Sequence, residues 1–211
     1  MSSLYNRLAG GGLERLAALS DGLFAIAMTL IVLEVHVPSH SGIGNEIELW
    51  RALSALAPRF VTYAMSFMTL GIFWVGQQTQ LNFLVRTDRE LSWCHLAFLA
   101  AVALMPFSTE VLAEFMEFRA ALLVYWANIL ALGAVLYASW RYAVRAGLVR
   151  PDAPPELGRA IERRIVVAQS LYALGAALSV FGTGWSIGFI VLVQLYYAIA
   201  PRLRFLPGGE A

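Results

Sequence analysis

The sequence predicts an all-α, multi-pass membrane protein, on three observations. Of the 211 residues, 59% are hydrophobic and 14% charged, whereas a soluble domain has about 45–50% apolar and about 25% charged residues. Six separate stretches are long and apolar enough to cross a bilayer, which takes about 20 residues. The basic residues concentrate in the loops on one side of the predicted membrane, and this bias sets an orientation.

The six predicted spans form a single transmembrane domain over residues 1–211. Short connections with the sequences RTDRE, STEVLAEFMEF and FGTGW predict that the helices they join are antiparallel neighbours. SHSGIGNEIEL is expected to form a polar loop and RAGLVRPDAPPELGR a proline-rich linker. The first apolar stretch lacks a small-residue cleavage site, so we expect a span and not a removable signal peptide. The spans cover about residues 15–37, 57–84, 90–113, 118–145, 161–182 and 184–201.

All 15 basic residues are arginine, and their distribution predicts that both termini are cytoplasmic. With that orientation, only Arg51, Arg59 and Arg119 face the other side of the membrane. The cytoplasmic side receives Arg7, Arg15, Arg86, Arg89, Arg141, Arg145, Arg150, Arg159, Arg163, Arg164, Arg202 and Arg204. An even number of spans follows, which agrees with six.

Composition also argues against several functional classes. The single cysteine, Cys94, excludes an internal disulfide framework and metal sites built from several thiolates. His36, His40 and His95 lack the spacing of a metal site, so we expect no metal and no cofactor. A net charge of +1 gives no nucleic-acid footprint. The spans lack converging acids, bases or ligands, so we expect no catalytic residues and no enzyme.

The first span has an apolar stripe along one face. An α-helix turns by about 100° per residue, so residues three, four and seven apart share a face. Packing against a neighbouring helix would use such a stripe, with the Thr29 hydroxyl bonded to its own backbone. A pore lining would use the same stripe, and periodicity leaves both open. The stripe contains Gly22, Ile26, Thr29, Leu30, Leu33 and Val37.

Asp21 points to nearly the opposite side of this helix, and Ser20 lies well off the stripe. A carboxylate at membrane depth is costly unless it has a partner or water. Ser and Asp are common helix N-caps, but the apolar pattern begins at Leu13, more than a turn before Asp21. Arg15 is six residues away, which is poor spacing for a pair on one helix. We therefore expect Asp21 to bind a donor from another helix.

These residues resemble the first-helix signature of the transmembrane protein 175 family. That signature has an arginine, a five-residue gap ending in Phe-Ser-Asp, and then a hydrophobic segment, as in Arg15, Ser20-Asp21 and Ile26 here. GIFWVGQQTQLNFL resembles the family's Trp-x-x-His-His segment, and LMPFSTEVL its Pro-Phe stretch. Leu19 replaces the family's Phe, and Gln77 and Gln78 replace its paired histidines. Since glutamine does not titrate near neutral pH, this pair is not expected to sense pH.

The resemblance implies a potassium-permeable channel without enzymatic activity. Animal members have two six-helix repeats per chain, and bacterial members have one and form homotetramers, so a bacterial inner (plasma) membrane is expected. Four first helices would surround a central pore, with Ile26 as the main constriction, further apolar rings at Leu30 and Leu33, and a hydroxyl ring at Thr29. A polar network would hold the first helix in the bundle; its members would be Arg15, Ser20, Asp21, Trp74, Gln77 and Gln78.

Apolar rings offer few ligands to an ion, and nothing in the sequence resembles a TVGYG carbonyl filter. We therefore expect a modest preference for K⁺, with Cs⁺ and Rb⁺ also passing and Na⁺ less so. Glu34 lies about 80° from the centre of the stripe. It could attract cations at the outer mouth or serve as an interfacial carboxylate. The expected partners are other copies of the chain, the lipid bilayer and monovalent cations.

A secondary transporter or exporter of a small cation or metabolite is the alternative. Such a protein would have broken helices and ionisable residues near the bilayer midplane. Asp21 instead sits towards the cytoplasmic end of its span, and no Gly/Pro interruption marks two matching spans.

Overall fold

A computed structural model describes residues 12–40 and 42–199, and the regular elements within them are helices. Arg7, Arg202, Arg204 and the end of the sixth predicted span lie outside the described residues. A 3₁₀ turn at Leu178–Val180 joins the last two helices. The helices are α1 (Leu13–Leu33), α2 (Glu46–Ser54), α3 (Ala57–Asn82), α4 (Arg89–Ala103), α5 (Met105–Glu114), α6 (Arg119–Arg145), α7 (Leu157–Ala177) and α8 (Thr183–Ile199).

Four helical segments have the length and hydropathy of membrane spans: α1, α3, α4 together with α5, and α6. They correspond to the first four predicted spans. The last two predicted spans match α7, whose first two turns are charged, and α8, which is apolar but has 17 residues. The all-helical class is therefore confirmed, and four of the six predicted spans meet the criteria by length and composition.

The third predicted span is divided into α4 and α5 by a turn at Leu104. Pro106, in the first turn of α5, has no amide hydrogen, and its ring disfavours continuous helix before it. The Asn128 carboxamide of α6 fills this break. With the amide oriented so that its N–H groups face acceptors and its oxygen faces donors, its N–H donates to the Ala101 carbonyl (3.0 Å) and its oxygen accepts from the Met105 amide (3.2 Å). The free backbone groups of the break are thus satisfied by protein.

The stretch predicted as the polar loop SHSGIGNEIEL contains the start of α2, so that prediction is wrong in its second half. Asn45 caps the helix, accepting a hydrogen bond from the Glu48 amide (2.9 Å). Glu48 in turn accepts from the Gly44 amide (2.7 Å). Such reciprocal capping stabilises a short helix start. The helix buries no residue, and Trp50 is 67% exposed.

Most of the protein core is formed by one large apolar cluster between α1, α3, α4, α5, α6, α7 and α8. Phe98 of α4 contacts Phe24 of α1 and Phe73 of α3, with ring centroids 6.0 and 6.3 Å apart. These contacts place the buried face of α1 against α3 and α4. The opposite face of α1 remains exposed in the single chain.

A smaller apolar cluster joins the arginine-rich ends of the helices. Leu16 of α1 packs with Leu81, Leu91 and Leu148, which belong to the α3–α4 and α6–α7 connections and their flanks. The two connections are also joined by backbone hydrogen bonds, from Val85 to Leu148 (2.9 Å) and from Arg150 to Phe83 (2.8 Å). We call this end, which carries Arg86, Arg89, Arg145 and Arg150, the inner end, and the opposite end the outer end.

Candidate functional site

Helix α1 presents two different faces. Residues spaced three or four apart, from Leu16 to Ile31, are buried against α3, α4 and α5. The stripe on the other side is not covered within the chain: Ile26 is 56% exposed, Leu30 43%, and Leu33 65%. The three residues predicted to form apolar rings therefore share one exposed face of a helix whose other face is fixed in the core.

Leu19 extends this face by almost two turns towards the inner end. It lies seven residues before Ile26, a rotation of only about 20°, and is 46% exposed. In the sequence, Leu19 stood out only as a departure from a motif, although its seven-residue spacing from Ile26 was a sufficient signal for this face. We call the exposed set Leu19, Ile26, Leu30 and Leu33 the apolar seam. Val37, which the sequence placed on the same helical stripe, lies beyond the end of α1 at Leu33, so that part of the prediction is wrong.

Thr29 lies beside the apolar seam, and its hydroxyl is bonded to the helix itself. Its Oγ1 donates to the carbonyl oxygens of Ala25 (3.0 Å) and Ile26 (2.9 Å). Such bonding is common for threonine inside helices. The oxygen keeps acceptor capacity towards the exposed side, so it can present a lone pair but not a free proton.

Asp21 binds two donors from α3. Its Oδ1 accepts hydrogen bonds from the indole Nε1 of Trp74 (2.8 Å) and from the Nε2 of Gln78 (2.7 Å). Both donors are neutral. Ser20 and Asp21 lie two turns inside a helix that begins at Leu13 after Gly12, so neither is an N-cap. Asp21 thus fixes the rotation of α1 against α3 with its exposed carboxylate.

Ser20 links α1 to two further helices through a fully buried chain. The Nε2 of Gln77 donates to Ser20 Oγ (3.0 Å), and Ser20 donates to the Leu16 carbonyl (3.0 Å). Gln77 also contacts the Nδ1 of His95 on α4 (3.3 Å). Sequence reasoning did not connect His95 to this chain, because the pairing of α1, α3 and α4 depends on tertiary packing and not on spacing.

Arg15 stands apart from the predicted polar network. Among residues 12–40 and 42–199 its side chain makes no hydrogen bond and no ion pair. Its six-residue separation from Asp21 turns it about 120° away on the helix and places it on the side of the apolar seam. The predicted network therefore contains Ser20, Asp21 and their α3 partners, and Arg15 lies exposed at the inner end of the seam.

The outer end of α1 is held by Arg59 of α3. The Arg59 guanidinium donates to the backbone carbonyl of Glu34 (3.1 Å) and forms an ion pair with Glu114 of α5. Glu34 itself is half-buried, and the cation beside its carbonyl offsets part of the negative potential of its carboxylate. Among the described residues, no three His, Cys, Asp or Glu side chains come together as a metal site.

A second polar cluster, which the sequence did not reveal, crosses the core behind α1. Tyr125 of α6 contacts Ser66 (3.3 Å) and Thr69 (3.2 Å) of α3, and all three side chains are buried. Thr109 of α5 donates to Ser66 (2.6 Å), and Gln194 of α8 donates to Thr69 (2.6 Å). Mutually bonded hydroxyls of this kind hold membrane helices in one register.

A model of the family described as endosomal/lysosomal potassium channel TMEM175 matches residues 15–106. These residues include α1 from Arg15 onwards, the Asp21 partners on α3 and His95. The match therefore coincides with the part of the chain that carries the apolar seam and its supporting contacts.

Two bacterial relatives match almost the whole chain. A Streptomyces collinus protein named as a potassium channel is 35% identical over 190 residues, covering 87% of this chain and 90% of that protein. A Chamaesiphon minutus protein, also named as a potassium channel, is 32% identical and covers 88% of this chain. A crystal structure titled as a lysosomal potassium-selective channel TMEM175 homolog from Chamaesiphon minutus superposes with a TM-score of 0.78 and 29% identity, covering 89% of this chain and 97% of that chain.

Proposed function

The chain belongs to the TMEM175 family of channels and is a multi-pass membrane protein, and on that premise we propose that it is a potassium-permeable channel. Four copies would assemble around a central axis, with α1 of each copy lining the pore. Helices α7 and α8 would complete six spans per copy, with both termini in the cytoplasm. The channel would be a passive conduit of a bacterial inner membrane, with no chemical step.

The observation that supports this proposal most strongly is the exposed apolar seam on a helix whose reverse side is fixed. Lipid could cover the apolar seam, but the exposed Asp21 carboxylate on the same helix would then also face hydrocarbon. A carboxylate in hydrocarbon is energetically costly. A neighbouring copy and a water-filled axis would accommodate both features of α1.

A second feature of α1 supports close packing between copies. Ala18, Gly22, Ala25 and Thr29 are exposed and form a small-residue stripe beside the apolar seam. Small residues at this spacing let membrane helices approach closely. Packing along this stripe would turn Ile26 and Leu30 of each copy towards the shared axis.

Rings of Ile26, Leu30 and Leu33 around that axis would form a hydrophobic constriction. Ile26 is β-branched, so its preferred rotamers are few and its ring well defined. Narrow apolar rings close by dewetting and do not replace the hydration shell of an ion. Selection would then follow the cost of partial dehydration, which favours K⁺, Rb⁺ and Cs⁺ over Na⁺ by a modest factor. Thr29 would add acceptor oxygens between the rings, and Arg15 and Glu34 would flank the two mouths.

One observation favours the transporter alternative, namely the break between α4 and α5 at Leu104. Transporter sites use the free backbone groups of such breaks. Here the Asn128 carboxamide occupies those groups, and we propose that the break is structural.

Ion flux into liposomes containing the purified chain tests the proposal. We expect K⁺ flux in the wild type, and a larger, less selective flux in Ile26→Asn and Leu30→Ala, because both changes widen or wet the constriction. Val32→Ala is the matched control: Val32 is 44% exposed on α1 but lies about 120° from Ile26.

The control should leave flux and selectivity unchanged. Flux that saturates and requires a second ion gradient would instead indicate a coupled transporter. Equal flux in all four proteins would refute the assignment of the apolar seam to the pore.

A further inference from the structure

The inner half of α7 has no fully buried residue within the described part of the chain. The three buried residues of α7, Tyr172, Gly175 and Ala176, all lie within the last six positions of the helix. There the packing is tight, because a Cβ at Gly175 would lie 2.8 Å from Ile190, and Ser186 Oγ donates to the Gly175 carbonyl (2.5 Å). The fully buried contacts of α7 are therefore at its outer end, whereas its inner half is held by partly buried contacts such as that of Ile165 with the core.

A crevice runs along α7 from Ile161 to Tyr172, between α7, α3, α6 and α8. It encloses about 70 Å³ within an open space of about 580 Å³ that includes its mouth. Most of its wall is apolar. The apolar wall includes Ile72, Phe73, Leu136, Ile161, Ile165 and Ala168.

The mouth of the crevice is cationic. Arg164 belongs to its wall, with its guanidinium carbon 5.8 Å from the centre of the Tyr197 ring. No carboxylate within residues 12–40 or 42–199 forms an ion pair with Arg164. Glu162, two residues away, is already paired with Arg141 (3.5 Å). Among the described residues, the Arg164 guanidinium at this crevice thus contacts an aromatic ring but no carboxylate.

We propose that this crevice binds one anionic phospholipid from the inner leaflet, with its phosphate on Arg164 and one acyl chain along Ile161, Ile165 and Ala168. A planar guanidinium binds a phosphate through paired hydrogen bonds. Basic pockets between membrane helices on the cytoplasmic side are known to bind anionic head groups. The lipid would supply the packing that protein does not give to the inner half of α7. The proposal depends on membrane insertion but not on ion conduction.

Thermal unfolding of the delipidated full-length protein in detergent tests the proposal. Dioleoyl phosphatidylglycerol and dioleoyl phosphatidylcholine would be added at equal mole fraction. We expect phosphatidylglycerol to raise Tm by about 3–6 °C more than phosphatidylcholine, the shift for roughly tenfold tighter binding. Arg164→Gln should abolish this difference. Arg150→Gln, at the same end but outside the crevice, should keep it.

Two further measurements distinguish a bound lipid from other occupants of the crevice. Ala168→Trp should fill the crevice and also abolish the phosphatidylglycerol increment, with helicity and elution volume unchanged. Inorganic phosphate at the same concentration should give no shift. The proposal is overturned if the two lipids raise the Tm of the wild type equally, as expected for a crevice that holds only water. It is also overturned if Arg164→Gln keeps the larger Tm increase with phosphatidylglycerol. A phosphate-induced shift, or a change of oligomeric state in Ala168→Trp, would also overturn it, indicating a free-anion site or a contact between copies.

Discussion

Removing the Asp21 carboxylate is expected to weaken the attachment of α1 to α3 without disturbing the buried core. Asp21 accepts two charge-assisted hydrogen bonds, from Trp74 (2.8 Å) and Gln78 (2.7 Å). A hydrogen bond to a charged group contributes about 1.5–3 kcal/mol, and because Trp74 is 39% exposed the lower value applies. Asp21→Ala should then cost about 3 kcal/mol and Trp74→Phe about 1.5 kcal/mol.

A double-mutant cycle gives the sharpest form of this prediction. The double variant Asp21→Ala/Trp74→Phe should be no less stable than Asp21→Ala alone, because the indole donor has already lost its acceptor. The coupling free energy should be about 1.5 kcal/mol. Chemical or thermal unfolding of the four proteins in one detergent measures it, with Trp93→Phe as the control, since Trp93 is 61% exposed and takes no part in the contact.

Additive effects, within about 0.5 kcal/mol, would refute the assignment of the Trp74–Asp21 contact. The single variant Asp21→Ala should also lose discrimination between K⁺ and Na⁺, because the rotation of α1 sets the direction of the apolar seam. Unchanged selectivity together with a measured loss of stability would show that the contact supports the fold but does not orient the pore.

Three further predictions concern other parts of the chain. Asn128→Leu should lower stability by about 1–3 kcal/mol, because the Ala101 carbonyl and the Met105 amide at the α4–α5 break lose their hydrogen-bond partner. Leu130→Ala, on the exposed side of α6, should cost far less in the same unfolding assay. Gln78→His should make the free energy of unfolding pH-dependent. Below about pH 6.5 an imidazolium beside Asp21 stabilises the fold, and this gain is lost as the pH rises. The wild type should lack this step in the same titration. Gly175→Ala should destabilise the protein by about 1–3 kcal/mol, because its Cβ would lie 2.8 Å from Ile190. Gly188→Ala, where a Cβ would have nothing within 4 Å, should be neutral or slightly stabilising. Equal effects of the two variants on Tm would contradict the tight contact at Gly175.

Periodicity sufficed for the parts of the structure that depend on one helix at a time. The spacing of Ile26, Leu30 and Leu33 places them on one face whatever surrounds the helix, and that face is exposed. The position of Asp21 opposite this face follows from the same geometry. The same helical periodicity places Leu19, seven residues before Ile26, on this face. Arg15 was assigned to the polar network by resemblance, although its rotation of about 120° from Asp21 argued against it.

Features that depend on contacts between helices were not predictable from one sequence. The link from Ser20 through Gln77 to His95 requires the packing of α1, α3 and α4. The cluster around Tyr125 likewise joins four helices, and its threonines and serines look like ordinary substitutions within apolar spans. Asn45 followed by Glu48 three residues later is a capping pattern that indicates the start of α2. The polar composition of the stretch nevertheless led to the prediction of a loop.

Cysteine chemistry at Ile26 tests the central claim most directly, in a Cys94→Ser background that removes the native thiol. If four copies of α1 turn the apolar seam towards a shared axis, Ile26→Cys should form disulfide-linked dimers on mild oxidation, and Ag⁺ should block its K⁺ flux. Val32→Cys, on the same helix but off the seam, should do neither. Ile26→Cys that stays monomeric under oxidation and conducts unchanged in Ag⁺, with Val32→Cys behaving identically, would contradict the account.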